Sequence, residues 1–198
     1  MSTGKRDFDL DAATWDEEPR RVQLARDLFL AITEAVDLNP SMHVLDVGCG
    51  TGLLTLQLAA RVGHVVAGDS SQGMLSALEA KLQSHGFDNV TTQYFDLECG
   101  DTFEGQYDLL VTTMTLHHVP DIPPLLGHFY RLLRPGGHLC VADLDQEVGD
   151  FHGNNDGVFH FGFDREYFRE LLESAGFVNV AIKTAATVFK PGADGQMK

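Results

Sequence analysis

Val44-Leu45-Asp46-Val47-Gly48-Cys49-Gly50-Thr51-Gly52 decides the fold. A short apolar run leads directly into three alternate glycines, and residues 53–62 then resume in helical spacing. Such a segment reads as a strand-to-helix turn, because glycine accepts positive φ and lets a ligand approach the backbone without meeting a β-carbon. Gly48 and Gly50 fit the start of the dinucleotide pattern G-x-G-x-x-G, but residue 53 is leucine, which weakens that reading. Asp46 would add negative charge beside a diphosphate, whereas it suits a cation. The competing reading is a tight turn with a purely structural role.

Outward from this turn, five short apolar runs alternate with helical patterns: His43 to Val47, His64 to Gly68, Val90 to Phe95, Tyr107 to Thr112 and His138 to Ala142. Runs of this kind are the mark of buried strands in a parallel sheet. Phe177 to Thr184 reads as a sixth. Val22, Ala25, Phe29, Ile32 and Val36 recur at helical steps, which predicts a helix over 14–38 with Thr14 and Glu17 as a capping box. Asp121 and two prolines open a later helix that Arg134-Pro135-Gly136-Gly137 stops, and Asp164 caps another that ends at Gly176. The expected fold is α/β: a doubly wound, mostly parallel sheet of six to seven strands with helices on both faces, an N-terminal helical extension, and a last strand that is short or missing. Residues 1–40 form the extension or lid, 41–190 complete one globular domain with it, and 191–198 are a flexible tail. Ligands of such sheets bind beyond the carboxyl ends of the strands.

Composition narrows the partners. Among 198 residues, 29 are acidic and 14 basic, and the formal charge of −15 repels a phosphate backbone, so no nucleic acid partner is expected. No apolar run approaches the roughly 20 residues of a membrane span, and the first residues lack the apolar core of a signal peptide. The expectation is therefore a cytoplasmic monomer or homodimer with no membrane association. Cys49, Cys99 and Cys140 lie far apart and form no C-x-x-C pair, which argues against a disulfide framework.

Several motifs then align. The turn is Asp46-Val47-Gly48-Cys49-Gly50-Thr51-Gly52. Gly68-Asp69-Ser70-Ser71-Gln72-Gly73-Met74-Leu75 follows the second strand, and Asp96 ends the third. Leu116-His117-His118-Val119-Pro120-Asp121 follows the fourth, and Leu133-Arg134-Pro135-Gly136-Gly137 precedes the fifth. In these features the chain resembles the class I (Rossmann-like) S-adenosylmethionine-dependent methyltransferase family, in its type 11-like small-molecule branch. The resemblance implies S-adenosylmethionine as cofactor and S-adenosylhomocysteine as product. It sets Gly48, Cys49 and Gly50 against the methionine part and Asp46 at its amino group. Asp69 goes to the ribose hydroxyls, Met74 beside the adenine, Asp96 at the adenine amino group and Leu97 with its backbone to the ring. Ser70 and Thr113 complete the cofactor set. Thr113-Met114-Thr115-Leu116 stands where enzymes acting on amines of bases or glutamine often carry Asn-Pro-Pro-Tyr, which argues against those acceptors.

Methyl transfer from a sulfonium is an in-line displacement whose leaving group becomes neutral, so alignment does much of the work. An acceptor that carries a proton still needs a base, and His117 and His118 are the catalytic candidates. Trp15, His152 and His160 are the acceptor-pocket candidates, with Phe8 beside them. They come from the leading helix and the long irregular stretch Asp145 to Phe163. Asp143, Asp145, His152 and His160 show no i, i+4 ligand spacing, so no metal is expected. The expected activity is methyl transfer to a small-molecule acceptor. A protein or peptide methyltransferase and a non-catalytic S-adenosylmethionine-binding regulator are the alternatives.

Overall fold

Strands form where the apolar runs lie: β1 (His43–Val47), β2 (His64–Asp69), β3 (Val90–Tyr94), β4 (Tyr107–Thr113) and β5 (Leu133–Ala142). The structure is a computed structural model that describes residues 8–96, 101–152 and 154–189. Leu97 and the 191–198 tail lie outside the described residues. All pairings are parallel, in the order β3-β2-β1-β4-β5. The chain adds β2 and β3 on one side of β1, then crosses back to add β4 and β5 on the other. The two directions part between β1 and β4, which opens a crevice at the carboxyl ends of those strands.

The helices are α1 (Phe8–Asp11), α2 (Pro19–Ala35), α3 (Thr55–Ala59), α4 (Gln72–His85), α5 (Ile122–Leu132) and α6 (Arg165–Ser174). They cover both sheet faces, as buried parallel strands require. Val44, Val65, Leu109 and Val111 pack against Ile32 and Val36 at the end of α2 and Leu58 of α3. Their neighbours Leu45, Val47 and Leu110 face the other way, onto Leu126 and Phe129 of α5 and Phe168 and Leu172 of α6. The extension thus shares a core with the sheet.

Three expectations shift. The first long helix starts at Pro19, not 14. Proline as a first helical residue requires an extended residue before it, and Glu18 (φ −84°, ψ 105°) accepts a hydrogen bond from Arg20 N as the cap. Residues 12–17 form a 3₁₀ turn instead of a capped first turn. Pro135-Gly136-Gly137 ends α5 as expected but lies within β5: Leu133 pairs with Tyr107, the chain bulges, and His138 resumes opposite Leu109. Phe177 to Thr184 pairs with no strand, so the sheet has five strands among the described residues. Asn179 takes φ +57°, a left-handed conformation that interrupts an extended run, and Val178 is left 80% exposed. Arg165 and Arg169 tie this segment to α6 through Thr184 Oγ1 and Val180 O. No helix among the described residues is long and apolar enough to cross a membrane.

Candidate active site

The glycine turn sits at the crevice. Gly48 N and Cys49 N donate to Gly68 O at 2.8 and 3.1 Å, which clamps the turn to the end of β2. Gly48 has φ +74°, and a Cβ there would run into the Thr115 side chain. Gly50 has φ +55° and nothing within 4 Å of where a Cβ would stand, so its backbone faces open space. Asp69 receives Gly50 N on Oδ2 at 2.7 Å and Ser71 N on Oδ1 at 2.9 Å, and burial raises its pKa. Ser71, rather than Asp69 or Ser70, caps α4 by accepting from Met74 N at 3.1 Å.

Asp46 is 1% exposed. Its Oδ2 accepts a hydrogen bond from the Thr55 hydroxyl at 2.7 Å, while Oδ1 is buried with no hydrogen-bond partner. Burial pushes the carboxyl up to about 7; Thr55 opposes the shift and the charge of Asp69 adds to it. An unpartnered buried carboxylate oxygen is costly, and a donor or cation placed against it removes that cost.

These groups wall a cavity of about 360 Å³. Asp46, Gly48, Cys49, Gly50, Asp69, Ser70, Met74, Asp96 and Thr113 all line it, as do His117, His118, Trp15, His152 and Phe8. Asp96 is buried at the end of β3, with its backbone N held by Asp101 Oδ2 at 2.9 Å. After β4 the chain passes Met114, a non-glycine residue at φ +55° on the cavity wall. Such strain is typical of functional turns.

His117 and His118 occupy the 3₁₀ turn Leu116–His118 that follows. His117 is 1% exposed, and its Nδ1 lies 2.6 Å from Asp143 Oδ1. Asp143 also accepts Leu116 N at 2.9 Å and Leu144 N at 2.8 Å, so one carboxylate fixes both the ring and its backbone. His118 Nδ1 is 2.7 Å from Gly157 O, and because a carbonyl only accepts, Nδ1 carries the proton. The stretch 145–163 folds back here: Phe159 N donates to His117 O at 2.9 Å, and the His152 ring centroid lies 5.0 Å from that of His117.

His160 does not belong to the pocket. Its Nε2 meets Val119 O at 2.9 Å and its ring tilts against Phe163, behind the turn and off the cavity wall. Trp15 reaches the cavity with the Arg21 guanidinium 3.6 Å over its ring. Asp16 bridges the Thr51 hydroxyl and Lys81 Nζ, each at 2.6 Å, and Asp9 accepts Gly73 N at 2.8 Å, so the extension is tied to the glycine turn and to α4. Sequence reasoning missed Thr55 as the partner of Asp46 and Asp143 as the partner of His117. The second carried a signal, an acid at the carboxyl end of the fifth strand.

A methyltransferase-domain family model matches residues 44–137. Trans-aconitate 2-methyltransferase of Deinococcus radiodurans is 32% identical over 193 residues, covering 86% of this chain and 70% of that protein. An uncharacterised methyltransferase of Schizosaccharomyces pombe is 29% identical over 156 residues, covering 71% of this chain, which spans about half (55%) of that relative. Among solved structures, the DhpI–SAH complex superposes with a TM-score of 0.68 at 25% identity, covering 85% of this chain and 83% of that one.

Proposed function

Because the chain belongs to the class I, Rossmann-like S-adenosylmethionine-dependent methyltransferase family, we propose that it methylates a small-molecule acceptor and leaves S-adenosylhomocysteine. The observation that carries this reading is the buried Asp46 carboxylate, unpartnered at Oδ1, on the wall of the cavity.

The residues fit the cofactor. Asp46 Oδ1 takes the ammonium of the methionine part, while the glycines beside it offer backbone in place of side chains. The Asp69 carboxylate, held by backbone donors from Gly50, Ser71 and Ser70, is placed to accept the ribose hydroxyls. Met74 and Asp96 form the adenine end, and Cys49 and Thr113 close the walls between. When bound, the cofactor supplies a methyl carbon on a cationic sulfur that departs as a neutral thioether. Asp143 holds His117 Nδ1 and directs Nε2 toward the acceptor, where it takes the proton of the nucleophile; His118 stands beside it as a second base. Alignment of acceptor and methyl in a near-attack pose contributes up to about 7–11 kcal/mol.

Phe8, Trp15 and His152 line the cavity beside His117 and His118, and this aromatic lining suits a small acceptor. The Deinococcus relative is named for a small organic acid, which favours the same class. The enzyme would act in the cytoplasm, as a monomer or homodimer. Incubation with methyl-labelled S-adenosylmethionine and a cell extract tests the acceptor: label is expected in the low-mass fraction. Label confined to protein would replace this reading with a peptide methyltransferase, and bound cofactor without transfer would make the chain a regulator.

A further inference from the structure

We propose that His117, His118 and His152 form a site for a divalent transition metal of the zinc class, with a fourth position open to the acceptor. No metal was expected from the sequence, and the four residues weighed there do not assemble: Asp143 holds His117, Asp145 pairs with Arg165, and His160 faces Val119 O. A different set converges. One ligand nitrogen from each of His117, His118 and His152 lies within 4.8 Å of the others.

The surroundings match what metal-bound imidazoles need. A ligating histidine commonly gives its other ring N–H to a carboxylate or a backbone carbonyl, which fixes tautomer and ring orientation. His117 has the carboxylate, Asp143, at 2.6 Å, and His118 has the carbonyl, Gly157 O, at 2.7 Å. Both tautomers therefore place the ring lone pair on Nε2. Zinc–nitrogen bonds of about 2.0–2.1 Å in a tetrahedron set ligand nitrogens roughly 3.3 Å apart, so the set needs to draw in by about 1.5 Å at its widest. His152 lies in the 145–163 stretch, whose described residues form no helix or strand besides a single bridge between Asp145 and Phe163. Three histidines with one open position are the ligand set of a catalytic zinc rather than a structural one. All three rings line the cavity that holds the Asp46 end of the site, so the open position faces the space where an acceptor must enter.

The acceptor role rests on the methyl-transfer reading; the ion site itself does not. With an ion bound, His117 is a ligand rather than a proton acceptor. An acceptor hydroxyl or thiol then binds as its conjugate base, and its proton passes to water. The oxygen or sulfur lone pair forms the new bond to the methyl carbon as the bond to the cofactor sulfur breaks, and that pair stays on sulfur. This points to acceptors carrying a hydroxyl or thiol.

The test uses the full chain without a histidine tag, stripped with chelator and titrated with Co²⁺. The expected result is visible d–d absorbance that saturates at one ion per chain and is displaced by Zn²⁺. His152→Ala and His118→Ala should each weaken Co²⁺ binding at least tenfold, and Asp143→Asn by about 10–100-fold. Calorimetric binding of S-adenosylmethionine by the same variants checks that they fold. Adding a small thiol should shift the spectrum through a new sulfur-to-cobalt band. No d–d band at millimolar Co²⁺, or a band unchanged in His152→Ala, overturns the site, and a spectrum indifferent to thiol overturns the open position. Co²⁺ binding without cofactor binding would sink the methyl-transfer reading and leave the site standing; cofactor binding without Co²⁺ does the reverse.

Discussion

Cofactor affinity should depend on pH through Asp46. The folded carboxyl is pushed up to about 7 from an ordinary 3.8, chiefly by burial. Only its ionised form pairs with the cofactor ammonium, so binding has to draw the proton off. With a pKa of about 7, roughly half of the carboxyl is ionised at pH 7 and about 3% at pH 5.5, so the dissociation constant should rise roughly fifteenfold over that interval. Asp46→Asn keeps the shape and the Thr55 contact but cannot ionise. It should bind S-adenosylmethionine roughly 10–100-fold more weakly at pH 7, as loss of a charge-assisted hydrogen bond of about 1.5–3 kcal/mol implies. Its remaining pH dependence reports other groups near the cavity. Isothermal calorimetry at both pH values, in two buffers of different ionisation enthalpy, measures affinity and proton release together. A wild-type affinity that is flat from pH 5.5 to 7, or an Asp46→Asn variant with the wild-type slope, would refute the assignment.

The same carboxyl predicts a stability effect in the absence of cofactor. Its raised pKa contributes stability that is fully present below pH 3.8 and lost as pH rises through about 7, worth about 4 kcal/mol in all. Urea unfolding should therefore find Asp46→Asn more stable than wild type at pH 8, with the advantage gone near pH 4. Gly48→Ala combines a φ of +74° with a collision against Thr115, and should cost about 1–3 kcal/mol by thermal unfolding and weaken cofactor binding. Thr115→Ala in the same chain should recover only the steric part. His117→Gln should lower turnover by about 10²–10⁴ while leaving cofactor affinity within a few-fold, as steady-state kinetics beside calorimetry would show. Phe129→Ala, which empties a fully buried position between α5 and the sheet, should cost about 3–5 kcal/mol.

Where a short segment carries its own signal, the sequence and the structure agree. β1, β2 and β4 are apolar runs, whereas β3 (Val90-Thr91-Thr92-Gln93-Tyr94) is a partly exposed edge strand rather than a buried one, and each forms within about one residue of its expected bounds. Asp46, Asp69 and Asp96 were readable because strand ends bring distant acids to one edge of a parallel sheet. The start of α2 was misread because helical periodicity over 22–36 says nothing of how Pro19 forces Glu18 to be extended. Phe177 to Thr184 has a strand-like composition, yet Asn179 turns left-handed and the segment attaches to α6 side chains. His152 and His160 looked alike, each in an aromatic-rich stretch, and only the folding of that stretch over the 3₁₀ turn sends one ring to His117 and the other to Val119. The pairing of His117 with Asp143 joins the ends of β4 and β5, which adjacency in the sheet creates and sequence spacing does not reveal.

In the proposed site, the crevice between β1 and β4 binds S-adenosylmethionine through the glycine turn and the acids at the strand ends. Calorimetric titration of the wild-type chain and of Asp69→Ala with S-adenosylmethionine at pH 7.5 tests it most directly. Saturable binding of one molecule per chain is expected, weakened at least tenfold when the Asp69 carboxylate is removed. No binding by the wild-type chain at millimolar S-adenosylmethionine, or equal affinity in Asp69→Ala, would contradict it.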